Sequence, residues 1–325
     1  MKILQVNAVY KIGSTGRNLY ELQDEMKKRG IESYIATTHM GTREENCYQI
    51  GSPIDWKIHG LLSRITGLQG YYSTKATRNF IQYIKKIEPD VVHLNNVHAN
   101  YLNLPILFKY LAKKNIVTVI TLHDCWFYTG KCTHYTVDGC EKWKTGCNSC
   151  RRIREDNKSW FFDRTLKMWQ DKKKWYESIP RLAVVGVSDW ITNEARNSIM
   201  KTASVIERIY NWIDLDLFKM TNDIDLRKKM GLEGKFVILG VASKWDNRKG
   251  LSTFIELAKN LNSDKIIVLI GQIEENKLPH NIIHVNNINN VKELVKYYSM
   301  ADVFLQLSLQ ESFGKVVAES LACGT

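Results

Sequence analysis

No run in the sequence approaches 18 uninterrupted apolar residues, so a membrane-spanning helix is excluded. The N-terminal Met1-Lys2-Ile3-Leu4-Gln5-Val6-Asn7 turns polar too early for a signal peptide and reads as a buried strand. These two absences lead us to expect a cytoplasmic protein. Internal repeats and low-complexity tracts are missing as well. With 44% hydrophobic and 25% charged residues, the composition excludes a disordered or collagen-like chain. Seven cysteines in 325 residues are too sparse for a disulfide-stapled miniature, and in a reducing compartment they are expected as thiols or metal ligands. A proper G-x-G-x-x-G is also lacking. The loop Gly13-Ser14-Thr15-Gly16-Arg17, which follows the first strand and opens the first helix, is only a weak phosphate-loop signal.

What is present is length enough for two cores and a formal net charge of +12. The charge favours an anionic partner: a nucleotide diphosphate, nucleic acid or an acidic membrane leaflet. Short runs rich in Val, Ile and Leu alternate with amphipathic stretches. Strands are expected at 2–10, 33–37, 90–94, 116–122, 182–187, 235–242, 265–270, 281–285 and 302–307. The runs are nearly continuous in apolar residues, as in strands covered by helices on both faces. Leu19, Leu22, Gln23 and Met26 mark the first helix, with Gly30 placed to end it in a left-handed cap. The pattern predicts parallel α/β sheets in two domains, 1–210 and 211–325, with a linker near Tyr210–Thr221. The chain stops at Thr325 after a helix with no closing strand, so the second domain is expected to be incomplete.

The most informative segment runs from Gln306 to Thr325. A polar turn carries Glu311, Phe313-Gly314 opens a helix, and Glu319 follows Glu311 by eight positions. Glycine there lets backbone approach a ligand, and the helix mouth presents N–H groups to an anion. This segment resembles the E-x7-E motif of retaining glycosyltransferases of family 4, including the continuation Ala322-Cys323-Gly324-Thr325. Ile209-Tyr210-Asn211-Trp212-Ile213-Asp214 is similar to the family's interdomain segment, with Trp212 in place of a glycine. Pro89–Leu94, Thr121-Leu122-His123-Asp124 and Lys249-Gly250 match further family positions. The resemblance is to bacterial enzymes of capsular and exopolysaccharide synthesis, in which the chain normally continues beyond this point.

The resemblance implies the GT-B fold, two facing Rossmann-like domains with ligands at the carboxyl ends of the strands. The N-terminal domain would hold the acceptor and the C-terminal domain a UDP- or GDP-linked sugar. Glu311 and the N–H groups of Phe313, Gly314 and Lys315 would hold sugar and diphosphate, and Glu319 the ribose. Lys249 would stabilise the leaving diphosphate. Lys244 stands where the family usually has an arginine, so it supplies charge without a bidentate fork, with Arg248 as a compensating cation. His123 would hydrogen-bond the donor sugar near the reacting carbon. Gly13, Gly16 and Arg17 would line the diphosphate and acceptor side. The family retains anomeric configuration, with the leaving phosphate itself taking the acceptor proton, and needs no catalytic cofactor.

Two features lie outside the motif. Cys132, Cys140, Cys147 and Cys150 form a C-x7-C-x6-C-x2-C array in a loop-like insertion near 125–150, open to structural zinc, free or redox-active thiols, or disulfides. From Arg151 to Tyr176, basic residues interleave with Trp160, Phe161, Phe162, Trp169 and Trp175. Ile58, Leu61, Leu62 and Ile65 with Lys57 and Arg64 form a second such patch. The first reads either as packing against the N-terminal domain or as peripheral contact with the anionic inner face of a membrane, the second as a membrane or acceptor patch. The expected function is sugar transfer to a lipid-linked or oligosaccharide acceptor in bacterial surface polysaccharide synthesis. A sugar-nucleotide epimerase or hydrolase, a nucleic-acid-binding zinc protein and a non-catalytic sugar-binding remnant are the alternatives, and nucleic acid is not expected as a partner.

Overall fold

Among the described residues every strand pair is parallel. The computed structural model describes residues 1–38, 45–221, 224–274, 277–288 and 290–325, and separates into two units, Met1–Tyr210 and Asn211–Thr325. In the first, strands β1 (Lys2–Val6), β2 (Glu32–Thr37), β3 (Cys47–Gln49), β4 (Val91–Leu94), β5 (Val117–Leu122), β6 (Leu182–Gly186) and β7 (Val205–Arg208) form one sheet in the order β3-β2-β1-β4-β5-β6-β7. The order reverses direction between β1 and β4, the switch point where open α/β sheets leave a crevice at the strands' carboxyl ends. Helices α1 (Gly13–Lys28), α2 (Pro53–Thr66), α3 (Thr74–Ile87), α4 (Leu104–Lys114), α5 (Thr165–Glu177) and α6 (Asp189–Arg196) connect the strands.

Local chemistry fixes where these helices begin and end. Ser52 and Asp55 form a capping box before Pro53, and Gly67 closes α2 at φ +74°. Asn103 and Ser188 cap α4 and α6 by accepting from Ile106 N–H and Ile191 N–H. Gly30, at φ +70°, follows α1 directly and ends it as its sequence position suggests.

The second unit contains α7 (Ile224–Lys229), β8 (Phe236–Lys244), α8 (Leu251–Lys259), β9 (Lys265–Gln272), β10 (Ile282–Val285), α9 (Val291–Met300), β11 (Val303–Phe304) and α10 (Lys315–Ala322). Its sheet runs β10-β9-β8-β11. Successive side chains of β8 point to opposite faces. Val237 and Leu239 join Phe218, Val268 and Tyr298 in one apolar cluster, while Ile238 joins Trp245, Phe254 and Ile267 in the other. Helices therefore cover both faces, which accounts for the unbroken apolar runs.

Three strand expectations change. The first strand ends at Val6 rather than Tyr10, because the Asn7 amide donates to Val9 O (2.7 Å) and turns the chain. The last strand shrinks from 302–307 to Val303–Phe304: Asp302 spends its carboxylate on Val237 N–H (2.7 Å), and Gln306 turns toward Ser308 and Glu311. Strands β3 and β7 are additions at the two edges of the first sheet.

Candidate functional site

In the second unit the loop after β8 lies directly against the stretch after β11. Gly250 makes this approach at φ +83°, and a Cβ there would stand 2.3 Å from Leu307 O, so a side chain is excluded. Leu309 N–H donates to Arg248 O across the contact (2.9 Å). This brings the Lys249 ammonium onto the Glu311 carboxylate as an ion pair, and Gln306 Nε2 donates to the same Oε1 (2.8 Å). Both side chains of the pair are about a quarter exposed, at 24% and 29%. An ammonium has three donors, and Glu311 engages one of them.

Glu311 leads straight into α10. Gly314 opens that helix at φ +76° without a side-chain cap, and a helix's first-turn N–H groups have no intrahelical acceptors. The Ser312 hydroxyl is buried at this mouth with no hydrogen-bond partner among the described residues. Phe313 and Gly314 are half-buried, and Lys315 is buried at the first position of α10. Glu319 faces inward: it is 2% exposed and accepts from the Tyr298 hydroxyl at 2.9 Å. Lys244 sits apart from the pair, its exposed ammonium on Glu274 (2.6 Å). The Arg248 side chain is exposed, and only its carbonyl takes part in the loop contact.

In the first unit the polar groups gather at the carboxyl ends of β1, β4 and β5. His123, just past β5, pairs through Nε2 with Asn95 Oδ1 just past β4 (2.9 Å). One turn of register earlier, His93 Nε2 meets Thr121 Oγ1 at 2.7 Å. Burial, and secondarily the neighbouring His123, push His93 down to about 4, so it is neutral near pH 7. His98 Nε2 meets Asp124 Oδ2 at 2.9 Å, and Asp124 Oδ1 accepts from Trp126 N–H (2.8 Å). Burial alone would raise the Asp124 carboxyl, but His98 and the Trp126 amide bring it below its ordinary value. The Asn7 side chain ties β1 into this group by accepting from Asn96 N–H (3.1 Å). Asn95 and His98 escaped the sequence reading. The signal available was the polar run Asn95-Asn96-Val97-His98 immediately after a buried strand.

Gly13, at φ +64°, starts α1, and Gly16 packs its first turn under the preceding loop. A Cβ on Gly16 would lie 3.2 Å from Lys11 N, and Lys11 N–H donates to Gly16 O at 3.0 Å. Arg17 pairs with Glu21 one turn along the helix, Nε to Oε1 at 3.4 Å.

The cysteine array fits a metal ion poorly. Cys132, Cys140, Cys147 and Cys150 line one pocket of about 210 Å³. None of the seven cysteines forms a disulfide among the described residues, Cys147 Sγ accepts from Gly130 N–H (3.1 Å), and Cys132 and Cys150 hydrogen-bond each other. Yet among the described residues no three His, Cys, Asp or Glu side chains gather to hold one ion. Tetrahedral zinc needs four ligands at one point.

The family model for Glycosyltransferase Family 4 matches residues 15–217, well over half of the chain. The chain belongs to glycosyltransferase family 4. The model for glycosyl transferases group 1 matches residues 222–325. Among curated relatives, WcaC of Escherichia coli (strain K12), named for colanic acid biosynthesis glycosyl transfer, is 43% identical over 161 residues, 46% of this chain and 39% of that protein. The first curated relatives are matched over 39% of their own length. Solved structures show the fold. Sucrose-phosphate synthase from Thermosynechococcus elongatus superposes with a TM-score of 0.69 at 16% identity, covering 100% of this chain and 79% of that one. Anabaena HepE, solved in complex with UDP and glucose, gives 0.64 at 15% identity with the same coverages. This family member thus has the GT-B fold, two Rossmann-like domains.

Proposed function

We propose that the protein is a retaining glycosyltransferase that moves a sugar from a nucleoside-diphosphate sugar to a lipid-linked or oligosaccharide acceptor during synthesis of a bacterial surface polysaccharide. The observation that carries this reading is the Lys249–Glu311 pair beside the uncapped mouth of α10. The relative named for colanic acid biosynthesis and the HepE complex with UDP and glucose support the same class of donor and product.

In this reading the second unit binds the donor. The diphosphate lies at the α10 mouth, where the amides of Phe313, Gly314 and Lys315 and the Ser312 hydroxyl offer donors to its oxygens. Lys249 turns its remaining N–H donors on the phosphate next to the sugar, with Lys244 and Arg248 adding charge from farther out. Glu311 orients a sugar hydroxyl, and Glu319 anchors the ribose side of α10. As the bond between C1 and the diphosphate oxygen breaks, negative charge grows on the leaving group. A cation already aimed at that oxygen stabilises it without reorganising, which is commonly the largest catalytic contribution.

The first unit binds the acceptor. Its hydroxyl oxygen bonds to C1 on the face the diphosphate leaves, and its proton passes to the departing phosphate oxygen, so configuration is retained. His123, fixed by Asn95, hydrogen-bonds the sugar near C1, and the Gly13–Arg17 turn lines the phosphate side. No cofactor takes part in this scheme.

A thermal-shift panel with UDP-, GDP- and ADP-sugars tests the donor site. One nucleotide class should raise the melting temperature of the wild type, and Lys249→Ala or Glu311→Ala should abolish that rise and lower turnover about a hundredfold or more. Equal stabilisation of the variants would place the donor elsewhere. Product analysis with and without acceptor separates transfer from hydrolysis or epimerisation.

A further inference from the structure

Helix α2 wears its apolar stripe on the outside. Its buried residues are His59, Gly60 and Ser63, while Ile54, Ile58 and Leu61 are 69%, 53% and 46% exposed. Spaced i, i+4, i+7 at about 100° per residue, these three point away from the buried edge. Leu62 and Ile65, grouped with them from sequence, are only half-exposed.

A second apolar segment, distant in sequence, docks beside the end of this stripe. Trp160 N–H donates to Arg64 O (2.6 Å), and Gly67 comes so close that a Cβ would meet Phe162 O at 2.3 Å. The docked loop holds Trp160, Phe161 and Phe162 outward, 44%, 70% and 50% exposed. The other aromatics of the stretch turn inward instead: Trp169 Nε1 donates to Trp143 O (2.8 Å), and Trp175 stacks on Phe108 with centroids 5.4 Å apart. The aromatic run thus divides into a packed half and a presented half.

Exposed cations border the presented half. Lys57 and Arg64 flank the α2 stripe, Lys158 precedes the loop, and Arg164 lies over the Phe162 ring at 5.5 Å. The nearby acids are occupied. Asp55, the only acid on α2, is bound in its capping box, and Asp163 accepts from Cys150 N–H and from the Thr165 amide and hydroxyl. We propose that Ile54, Ile58, Leu61 and Trp160–Phe162 form one interfacial anchor that seats this unit on an anionic phospholipid bilayer. The rings and aliphatic tips enter the headgroup boundary while the lysines and arginines meet lipid phosphates. Cations ringing an apolar centre, with the acids tied down, match an anionic headgroup layer better than a protein partner of mixed charge.

The anchor is independent of the donor site, so the two can fail separately. Co-sedimentation with vesicles of phosphatidylglycerol and phosphatidylcholine at roughly 3:7 should capture the wild type, and pure phosphatidylcholine should capture much less. Phe161→Ser with Phe162→Ser, both at exposed positions, should lower partitioning about tenfold or more. Lys57→Glu with Arg64→Glu should lower it by about tenfold or more and flatten its salt dependence. Circular dichroism and the nucleotide-sugar thermal shift should be unchanged in both. Unchanged partitioning of the variants, or no capture of the wild type, overturns the proposal. So does a self-association, seen in sedimentation velocity, that the aromatic substitutions abolish, since the face would then join copies of the chain.

Discussion

His93 and His123 at the strand ends of the first unit are held by neutral partners, Thr121 and Asn95, whereas Lys249 and Glu311 in the second hold each other by charge. The first arrangement is part-buried, and burial keeps His93 neutral near pH 7. The second is partly open to water and has donors to spare. A buried neutral network fixes geometry but punishes any change of charge. An ammonium about a quarter exposed, with one donor engaged, can turn the others to a ligand's oxygens. The contrast suits one unit to shaping a pocket and the other to receiving an anion.

Acid should destabilise the unit that holds the first arrangement. Burial lowers His59 and His93 to about 4, so both stay neutral when folded, while an unfolded histidine titrates near about 6.5. Between those values the unfolded chain binds more protons, and stability must fall as pH drops from about 6.5 toward about 4, levelling below that. The upper bound is about 3 kcal/mol for each histidine. Denaturant unfolding followed by tryptophan fluorescence reads this in the first unit, because only Trp212 and Trp245 of the nine tryptophans lie in the second. His93→Gln should remove about half of the pH dependence, and a pH-independent midpoint would refute the neutral network.

Tyr298→Phe probes the second unit where it is buried. Removing the hydroxyl that Glu319 accepts should cost about 1–2 kcal/mol, seen as faster hydrogen exchange in α9 and α10 with the first unit unaffected. The smallest effect belongs to Lys244→Ala. Its exposed pair with Glu274 should contribute under about 0.5 kcal/mol to stability, and donor affinity should fall only severalfold, far less than for Lys249→Ala. Equal losses for the two lysines would erase the distinction between a charge in the site and a charge at its edge.

The strands that sequence made legible are those whose Val, Ile and Leu runs are buried on both faces, such as β8 and β9. Strand β7 was missed because Val205, Glu207 and Arg208 are exposed. Only pairing with β6 makes this edge a strand, and its side chains carry no sign of it. The turn at Glu311 was legible as a motif, but its contact with Lys249 depends on Gly250 meeting the chain at Leu307, a proximity created by the β8–β11 pairing. The same applies to His98–Asp124, which β4 and β5 bring together as sheet neighbours. The Tyr298 hydroxyl that Glu319 accepts from could not be read, because helical spacing from Glu311 says nothing of α9. The cysteines were legible as a group: the array that spacing suggested lines one pocket, where Cys132 and Cys150 hydrogen-bond each other.

A site whose lysine already leans on a carboxylate has few loosely held counter-ions to shed when a diphosphate arrives. Donor capture there adds phosphate oxygens to a lysine that is already paired, so affinity should decline only gently as salt is added, despite the protein's formal charge of +12.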